Sequence, residues 1–469
     1  MDLLDQIRAT LGDRYVLTGA DTAAWASDWT GKYTSDPIAV VRPANTQQVA
    51  DVVKIAGMHK THVVPIGGNT GLNGGAVARG GILLSLDRLN QIEHIDVAGR
   101  TATVGAGVIL STLHDACEDR DLIFPVMFGA RGSAMIGGLM STNAGGSNVL
   151  RYGNTRDLVL GIEAVMANGD ILSLMGALHK DNSGFNLKHL LIGAEGTLGV
   201  ITRAVVKLYP RPKAYATALI AMSDIPNALD LLNTLQQVTS GAVEAFEYMP
   251  AGHMDGYFRL HPDARDPLGA RYDVNILVEL GATAPQDADA GPDGTTPIAA
   301  QLLDTLTAAM DQGHVLDAVV AQSDAQRQAF WHIREAAAEI AFSRRPFVDT
   351  DLSVALTDVA AFLDQITPKI TALDPDAQDL SIAHLGDGNI HYTVYPSRDD
   401  PALIADIRAA IADLTAQFQG SFSAEHGVGL SKLPTMAAHK DPTALAAMRS
   451  IKTALDPHGI LNPGKVIPD

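Results

Sequence analysis

Residues 64–75 read Val64-Pro65-Ile66-Gly67-Gly68-Asn69-Thr70-Gly71-Leu72-Asn73-Gly74-Gly75, a β-rich run that enters a glycine-dense loop. Glycine adopts positive φ and lets backbone N–H groups come close to a ligand, so successive amides can cradle a pyrophosphate without Lys or Arg. Two further glycine-dense segments follow at 129–148 and 192–202. Glycine-rich loops also serve as tight turns, but three of them, together with the separate metal site described below, favour a dinucleotide cofactor.

Two common nucleotide motifs are excluded. None of the three loops has the G-x-G-x-x-G spacing that follows a strand in Rossmann proteins. Gly459–Lys465 nearly spells a Walker A loop, but Val466 stands where Ser or Thr is required, so an NTPase is rejected.

Short β-rich runs, glycine loops and one helical stretch alternate through residues 37–210. We predict a helix over Gln47–Met58, capped by Thr46, and a domain boundary at Pro210-Arg211-Pro212. After this boundary, Ile225–Val238 and Ile298–Gln312 favour helices, while Tyr272–Leu280 and Ile382–Tyr395 favour an antiparallel sheet. The strands predicted before the boundary are Ile38–Arg42, His62–Ile66, Gly81–Ser85, Thr101–Val104, Gly161–Met166 and Val200–Leu208.

The segment 383–391 reads Ala-His-Leu-Gly-Asp-Gly-Asn-Ile-His, and Asp387-Gly388 between apolar residues predicts a two-residue hairpin turn. His384 would then lie directly opposite His391, with their Cβ atoms about 5 Å apart. This spacing suits two imidazoles that share one divalent ion. Downstream, Glu425 and His426 add a carboxylate and a third imidazole. A pair of histidines at a hairpin end is more often a solvated surface pair, and this reading stays open.

Composition limits the class of protein. The chain has 469 residues, 46% of them hydrophobic, and a formal net charge of −19, which argues against nucleic acid or an anionic membrane as partner. A single cysteine, Cys117, excludes an internal disulfide and is expected to be a small buried side chain. Neither an export signal nor an apolar run of about 18 residues is visible, so we expect a cytoplasmic protein.

Together these motifs resemble the FAD-linked oxidases of the vanillyl-alcohol oxidase/p-cresol methylhydroxylase superfamily, in particular its D-lactate and D-2-hydroxyglutarate dehydrogenase branch. The resemblance covers about 37–466. It implies an α+β fold with a two-part FAD-binding domain of the p-cresol methylhydroxylase type at 1–212. A substrate or cap domain at 213–420 would carry the metal-binding hairpin on a large antiparallel sheet covered by helices. A C-terminal segment at 421–469 would return to the flavin.

The resemblance also implies the residues that contact FAD. The position of the flavin-linked histidine in covalent members reads Gly67-Gly68-Asn69 here, so we expect noncovalent FAD. The implied contacts are Pro65, Gly67, Gly68, Asn69, Thr70, Gly71 and Leu72 in the first loop; Ser133, Gly137, Gly138, Thr142, Gly145 and Gly146 in the second; Glu195, Gly199 and Ile201 in the third; and Asn462 near the end of the chain.

By the same resemblance, His384, His391 and Glu425 are metal ligands and His426 is the catalytic base. A 2-hydroxy acid can chelate a metal through its carboxylate and hydroxyl oxygens, and the metal lowers the hydroxyl pKa. His426 would take the hydroxyl proton while the Cα hydrogen passes to the flavin as hydride. Zn²⁺ suits these ligands best, although Mn²⁺ and Fe²⁺ accept the same donor set.

Four residues are implied in substrate binding: Arg334, Asp349, Asn389 and Thr393. Arg334 resembles the arginine whose guanidinium forks onto a distal carboxylate, with a helix-surface ion pair as the alternative. The 2-hydroxyglutarate enzymes usually follow this arginine with a threonine and a lysine, where this chain has Ala338 and Asp349. Many relatives also have an asparagine in place of Thr393. Because Asp349 would repel a second carboxylate, a small or uncharged tail such as that of D-lactate competes with 2-hydroxyglutarate.

The predicted function is therefore an FAD- and metal-dependent D-2-hydroxy acid dehydrogenase. Its electron acceptor would be a quinone, a cytochrome or an electron-transfer flavoprotein, and a homodimer remains an option. Two other functions stay open. One is an O₂-using oxidase of polyols or sugar lactones, which would not need the paired histidines. The other is a non-catalytic flavin subunit of a complex related to glycolate oxidase.

Overall fold

A computed structural model describes residues 1–468 as two compact units. Unit 1 comprises Met1–Gly145, Asn154–Pro210 and the chain from Glu425 onward, and unit 2 comprises Gly146–Gly153 and Arg211–Ala424. The chain thus leaves unit 1 inside the Pro210-Arg211-Pro212 triplet and re-enters it at Glu425.

Strands and helices follow one another along the chain, with short 3₁₀ turns between some of them. The strands are β1 Val16–Leu17, β2 Ala39–Val41, β3 Val63–Ile66, β4 Ile82–Ser85, β5 Ile92–Asp96, β6 Thr101–Gly105, β7 Leu122–Ile123, β8 Val159–Val165, β9 Ile171–Leu174, β10 Val200–Lys207, β11 Tyr209–Pro210, β12 Ala214–Met222, β13 Val243–Pro250, β14 Val274–Ala282, β15 Val315–Val320, β16 Val348–Ser353, β17 Gln378–His384 and β18 Asn389–Tyr395. The helices are α1 Leu3–Leu11, α2 Thr46–Met58, α3 Leu110–Glu118, α4 Ile136–Thr142, α5 Val149–Tyr152, α6 Thr155–Leu158, α7 Leu187–Leu191, α8 Ile225–Val238, α9 Ala251–Leu260, α10 Pro285–Ala288, α11 Pro297–Asp311, α12 Asp324–Glu335, α13 Ala337–Ala341, α14 Val359–Leu373, α15 Pro401–Gln417, α16 Leu433–His439 and α17 Pro442–Leu455.

Unit 1 is built on two main sheets. The first has the order β1-β2-β4-β3, and its strands β2, β4 and β3 run parallel. The four residues of β4 are all buried, as expected for a parallel strand that is covered on both faces. The second sheet, of order β5-β6-β10-β8-β9, is antiparallel throughout.

The C-terminal segment joins the first of these sheets. The backbone N–H of Val63 donates to the Ile460 carbonyl, and the Asn462 N–H donates to the Val63 carbonyl. Ile460 and Leu461 are buried in the same apolar core as β3 and β4. Residues from the end of the chain therefore complete the interior of unit 1.

Unit 2 holds one seven-stranded antiparallel sheet of order β15-β12-β14-β13-β17-β18-β16. One face is apolar: Phe246, Ile390 and Tyr392 pack there with residues of α8, α11, α14 and α15. Because side chains alternate between the faces of a strand, the residues next to them point to the opposite face. That second face carries the polar residues of interest, and α9, α12 and α13 pack on part of it.

Most predicted elements are present in the structure. The predicted strands of unit 1 differ from the observed ones by at most two residues at either end, and α8 matches its predicted range. Cys117 is a free, fully buried thiol in α3, as expected. The predicted cap of α2 was wrong, because the Asn45 side chain accepts the Gln48 N–H and Thr46 is already helical. Within residues 1–468, no helix is both long and apolar enough to cross a membrane.

Candidate functional site

The hairpin that carries His384 and His391 has a longer turn than predicted. His384 pairs with Asn389 and His391 pairs with Ile382, so the predicted direct opposition of the two histidines was wrong. The loop spans four residues, since the N–H groups of both Asp387 and Gly388 donate to the His384 carbonyl. Asp387 also accepts the Asn389 N–H at 3.0 Å, which stabilises the wider turn.

The two histidines nevertheless lie on the same sheet face. The register differs from the predicted one by two residues, and an even difference keeps each side chain on its face. The His384 and His391 ring centroids are 5.5 Å apart and the rings are nearly perpendicular. The hairpin therefore brings two imidazoles together diagonally across neighbouring strands.

Behind His384 lies a buried ion pair. Glu247 on β13 is directly opposite His384 on β17, and its carboxylate is 2.9 Å from His384 Nδ1. Arg334, on α12, donates from Nε to the same carboxylate at 2.7 Å. Glu247 is 1% exposed and Arg334 is 8% exposed. Burial alone would raise the pKa of the Glu247 carboxyl, but the charges and hydrogen bonds of His384 and Arg334 outweigh burial and hold this pKa below its usual value.

A row of acidic and polar groups continues across the same face. Asp351 on β16 is directly opposite His391, and their ligand atoms lie within 4.8 Å of each other. Asn389 donates from its amide to Asp351 at 3.0 Å, which fixes the orientation of both side chains. Further along, Thr393 donates from Oγ1 to Asp349 at 2.9 Å.

Carboxylates are concentrated on this face. Glu247, Asp349 and Asp351 all lie on it, and Arg334 forms an ion pair with Glu247. Asp351 is 1% exposed, and a buried negative charge is costly unless a cation or hydrogen bonds compensate it. The amide of Asn389 supplies one such hydrogen bond to Asp351.

In unit 1, the structure brings the predicted flavin loops together. A Cβ on Gly68 would collide with the Ser133 carbonyl, and a Cβ on Gly196 would collide with the ring of Pro65. The N–H of Glu195 donates to the Ser141 carbonyl at 2.8 Å. The first loop is thus in contact with both the second and the third.

Glu195 and Asn462 tie the C-terminal segment to these loops. The Glu195 carboxylate accepts the N–H groups of Val428 and Gly429 at 2.6 and 2.9 Å. The Asn462 amide donates to the carbonyls of Gly75 and Glu195. Its Oδ1 atom is buried and finds no hydrogen-bond partner among the described residues. A buried acceptor of this kind suits a ligand that carries an N–H or O–H donor.

Glu425 and His426 lie at the point where the chain re-enters unit 1. His426 Nε2 is 3.6 Å from a Glu425 carboxylate oxygen, and both side chains are about one-fifth exposed. Asn73 of the first glycine loop donates from its amide to the carbonyls of His426 and Gly427 at 3.1 and 2.7 Å. The candidate base therefore sits on backbone that is anchored to a predicted flavin loop.

Arg334 does not form the helix-surface ion pair that was its alternative role, because it is buried and paired with Glu247. Glu247 and Asp351 were not predicted from the sequence. A signal for Glu247 existed, since two glutamates interrupt the otherwise apolar strand Val243–Pro250, and charged residues are rarely buried without a partner. For Asp351, the signal was the alternation of Asp349, Asp351 and Ser353 along β16.

Two family models match the chain. The model of an FAD binding domain matches residues 37–175, and the model described as FAD linked oxidases, C-terminal domain, matches residues 211–466. Together they span most of unit 1 and all of unit 2.

Curated relatives match along nearly the whole chain. A D-2-hydroxyglutarate dehydrogenase of Xanthomonas citri pv. viticola is 36% identical over 95% of this chain and 93% of its own length. The enzyme of the same name from Stutzerimonas stutzeri is 34% identical over 99% and 98%. The mitochondrial D-2-hydroxyglutarate dehydrogenase of Arabidopsis thaliana is 34% identical over 98% and 80%.

Solved structures share the fold at low sequence identity. Substrate-bound p-cresol methylhydroxylase superposes with a TM-score of 0.74 at 18% identity, covering 100% of this chain and 96% of the other. Alkyldihydroxyacetonephosphate synthase gives a TM-score of 0.74 at 14% identity, covering 98% and 85%. The predicted fold class, with its p-cresol methylhydroxylase type of architecture, is thereby confirmed.

Proposed function

Because the chain belongs to the family of FAD-linked oxidases, we propose that it is an FAD- and divalent-metal-dependent dehydrogenase that oxidises a D-2-hydroxy acid to the 2-oxo acid. The observation that carries this proposal is the pair of imidazoles on a buried, carboxylate-rich sheet face. The names of the curated relatives support the substrate class.

Unit 1 has features that fit FAD. The contact of Gly68 with the Ser133 carbonyl leaves no room for a side chain, so the first two glycine loops pack closely against each other here. The buried Asn462 Oδ1 offers an acceptor to the cofactor. When bound, FAD supplies the acceptor for the two electrons that leave the substrate C2 atom.

Unit 2 has features that fit a divalent metal. His384 and His391 of unit 2 would hold the metal, and the family resemblance implies Glu425 as the carboxylate ligand. Zn²⁺ is the first choice for two imidazoles and one carboxylate. A divalent metal held by these residues would supply Lewis acidity, which lowers the pKa of a 2-hydroxyl group bound beside it. Asp351, opposite His391, adds negative charge that favours a cation at this face.

His426 is the proposed base. Its imidazole would take the proton of the 2-hydroxyl group, and the hydrogen bonds from Asn73 to the His426 and Gly427 carbonyls would hold it in place. Removal of this proton makes the C2 hydrogen easier to transfer, because the resulting alkoxide collapses to the ketone.

The tail of the substrate would be recognised further along the same face of unit 2. The names of the relatives favour 2-hydroxyglutarate, which carries a second carboxylate. Asp349, held by Thr393 on the face that carries His391, favours a tail without negative charge. Both D-2-hydroxyglutarate and D-lactate are therefore candidate substrates. The ratio of their turnover rates shows whether this enzyme shares the substrate of its relatives or whether the negative charge of Asp349 excludes a second carboxylate.

The test of this mechanism is His426→Ala. We expect the variant to keep bound FAD and to lose turnover of the D-2-hydroxy acid by at least a hundredfold, in the range usual for loss of a general base. His458→Ala, at an exposed position of unit 1, is the matched control and should keep wild-type turnover. A flavin-loaded His426→Ala enzyme that turns over at the wild-type rate would refute the role of this base.

A further inference from the structure

We propose that Glu247 is the positioning residue of the metal ligand His384, and that Arg334 holds Glu247 in place for this task. This inference rests on the metal site of the proposed function and adds residues to it. Glu247, on strand β13, lies far from His384 in sequence but directly opposite it in the sheet.

The contact fixes which imidazole nitrogen carries the proton. Arg334 donates to the Glu247 carboxylate at 2.7 Å, so Glu247 is an ionised acceptor that has no proton to donate. The 2.9 Å contact with His384 Nδ1 must therefore be an Nδ1–H donor to the carboxylate. The approach of an Arg334 Nη atom to the same Nδ1 is 3.5 Å, too long to compete as a hydrogen bond.

The consequence concerns the other nitrogen. In the neutral imidazole, a proton on Nδ1 leaves the lone pair on Nε2, which can then bind a metal. Metal-binding histidines commonly donate their other N–H to a carboxylate, which sets the ring orientation and increases the basicity of the ligand nitrogen. Glu247 is such a carboxylate, because it accepts the Nδ1–H of His384.

Arg334 makes this arrangement rigid. Glu247 is 1% exposed, and a lone buried carboxylate would tend to take up a proton or to draw in water. The guanidinium keeps it charged and restricts its rotation. A second ion pair on the same face offers a comparison: Glu279 accepts two hydrogen bonds from Arg327 at 2.7 Å, one from Trp331 and one from Thr217, with no histidine involved.

The experiment measures Zn²⁺ affinity of the flavin-loaded, full-length protein by competition with a chelator, together with the visible spectrum of the Co²⁺-loaded protein. Glu247→Gln removes the charge but keeps the size. If this variant folds poorly because Arg334 is left unpaired, the double variant Glu247→Leu/Arg334→Met removes both charges. Glu279→Gln is the control, because it removes an equally buried carboxylate from the same face.

We expect Glu247→Gln or the double variant to bind Zn²⁺ 10- to 100-fold more weakly, as for other substitutions of residues that hydrogen-bond to a metal ligand. We also expect the visible spectrum of the Co²⁺-loaded variant to differ from that of the wild type. Glu279→Gln should bind Zn²⁺ like the wild type. Wild-type affinity in the Glu247 variants would overturn the positioning role and leave the proposed function intact, as would an equal loss in Glu279→Gln. A wild-type protein that binds no divalent metal would instead overturn the metal site itself, and this inference with it.

Discussion

At the scale of single residues, the buried histidines of unit 2 differ in their hydrogen-bond partners. His384 donates to a charged carboxylate, whereas the fully buried His253 on α9 contacts the Ile333 carbonyl through Nε2 at 2.7 Å. The sequence predicts the His384–His391 pair, since both lie in one short motif. It cannot predict Glu247, because that contact joins strands far apart in the chain and depends on the strand order of the sheet.

His253 makes the stability of the fold depend on pH. Burial, with a smaller effect of the nearby Arg334 charge, lowers its pKa to about 4, against an ordinary value of about 6.5. Between these two pKa values the unfolded chain binds a proton that the folded protein does not. Stability is therefore full above about pH 6.5 and declines as the pH falls towards 4, by up to about 3 kcal/mol.

We expect His253→Gln, which keeps an N–H donor for the Ile333 carbonyl but does not titrate, to lose less stability than the wild type on acidification. The free energy of unfolding in urea at pH 7.5, 5.5 and 4.5 measures this difference. His458→Gln, at an exposed site, should follow the wild type. If the free energies of unfolding of the wild type and of His253→Gln fall in parallel with pH, His253 is not the cause of the loss of stability in acid.

At the scale of elements, the prediction of strands succeeded where β-branched runs are bounded by glycine or proline, as in β3, β4 and β10. The register of the β17–β18 hairpin was wrong because Asp387-Gly388 forms the end of a four-residue loop. Local hydrogen bonds and a tertiary contact fix this geometry together. Asp387 accepts the Asn389 N–H, and Gly388, at φ +82°, packs so closely on Val354 that an added Cβ would meet the Val354 carbonyl. The sheet face of the two histidines was nevertheless predictable, since the register error is even.

Gly388→Ala should therefore destabilise unit 2 more than an ordinary substitution at positive φ. A Cβ at this position is strained by the backbone and also meets the Val354 carbonyl, for a combined cost of about 2 kcal/mol or more. Gly313→Ala has a similar φ of +77° but open space around it, and should cost about 1 kcal/mol. Thermal unfolding of both variants measures the difference, and equal shifts in Tm would argue against the clash.

At the scale of the whole molecule, the chain returns to unit 1 after an insertion of more than two hundred residues, and buried polar side chains secure the returning segment. Glu195 binds the amides of Val428 and Gly429, and burial raises the pKa of its carboxyl despite these hydrogen bonds. Lys452 donates to the carbonyls of Thr197 and Leu461. The glycine loops were evident in the sequence, but these long-range anchors were not, because their spacing follows no local pattern.

Glu195→Ala should loosen the segment that carries Glu425 and His426. Without their acceptor, the amides of Val428 and Gly429 should exchange with solvent at least tenfold faster, as measured by hydrogen–deuterium exchange on peptides that cover 426–432. Glu93→Ala, which removes a surface carboxylate paired with Arg203, should leave their exchange unchanged. Unaltered protection in Glu195→Ala would show that other contacts anchor the segment.

Oxidation of a D-2-hydroxy acid by the bound flavin would reduce that flavin, and anaerobic bleaching of its visible absorbance measures this reduction. The metal-replete protein is mixed with D- and L-lactate and with D- and L-2-hydroxyglutarate. We predict rapid bleaching by at least one D-acid and none by the L-acids. The ratio of the bleaching rates with D-lactate and D-2-hydroxyglutarate shows which substrate tail the enzyme prefers. A yellow protein that none of these acids bleaches would refute the proposed oxidation of D-2-hydroxy acids.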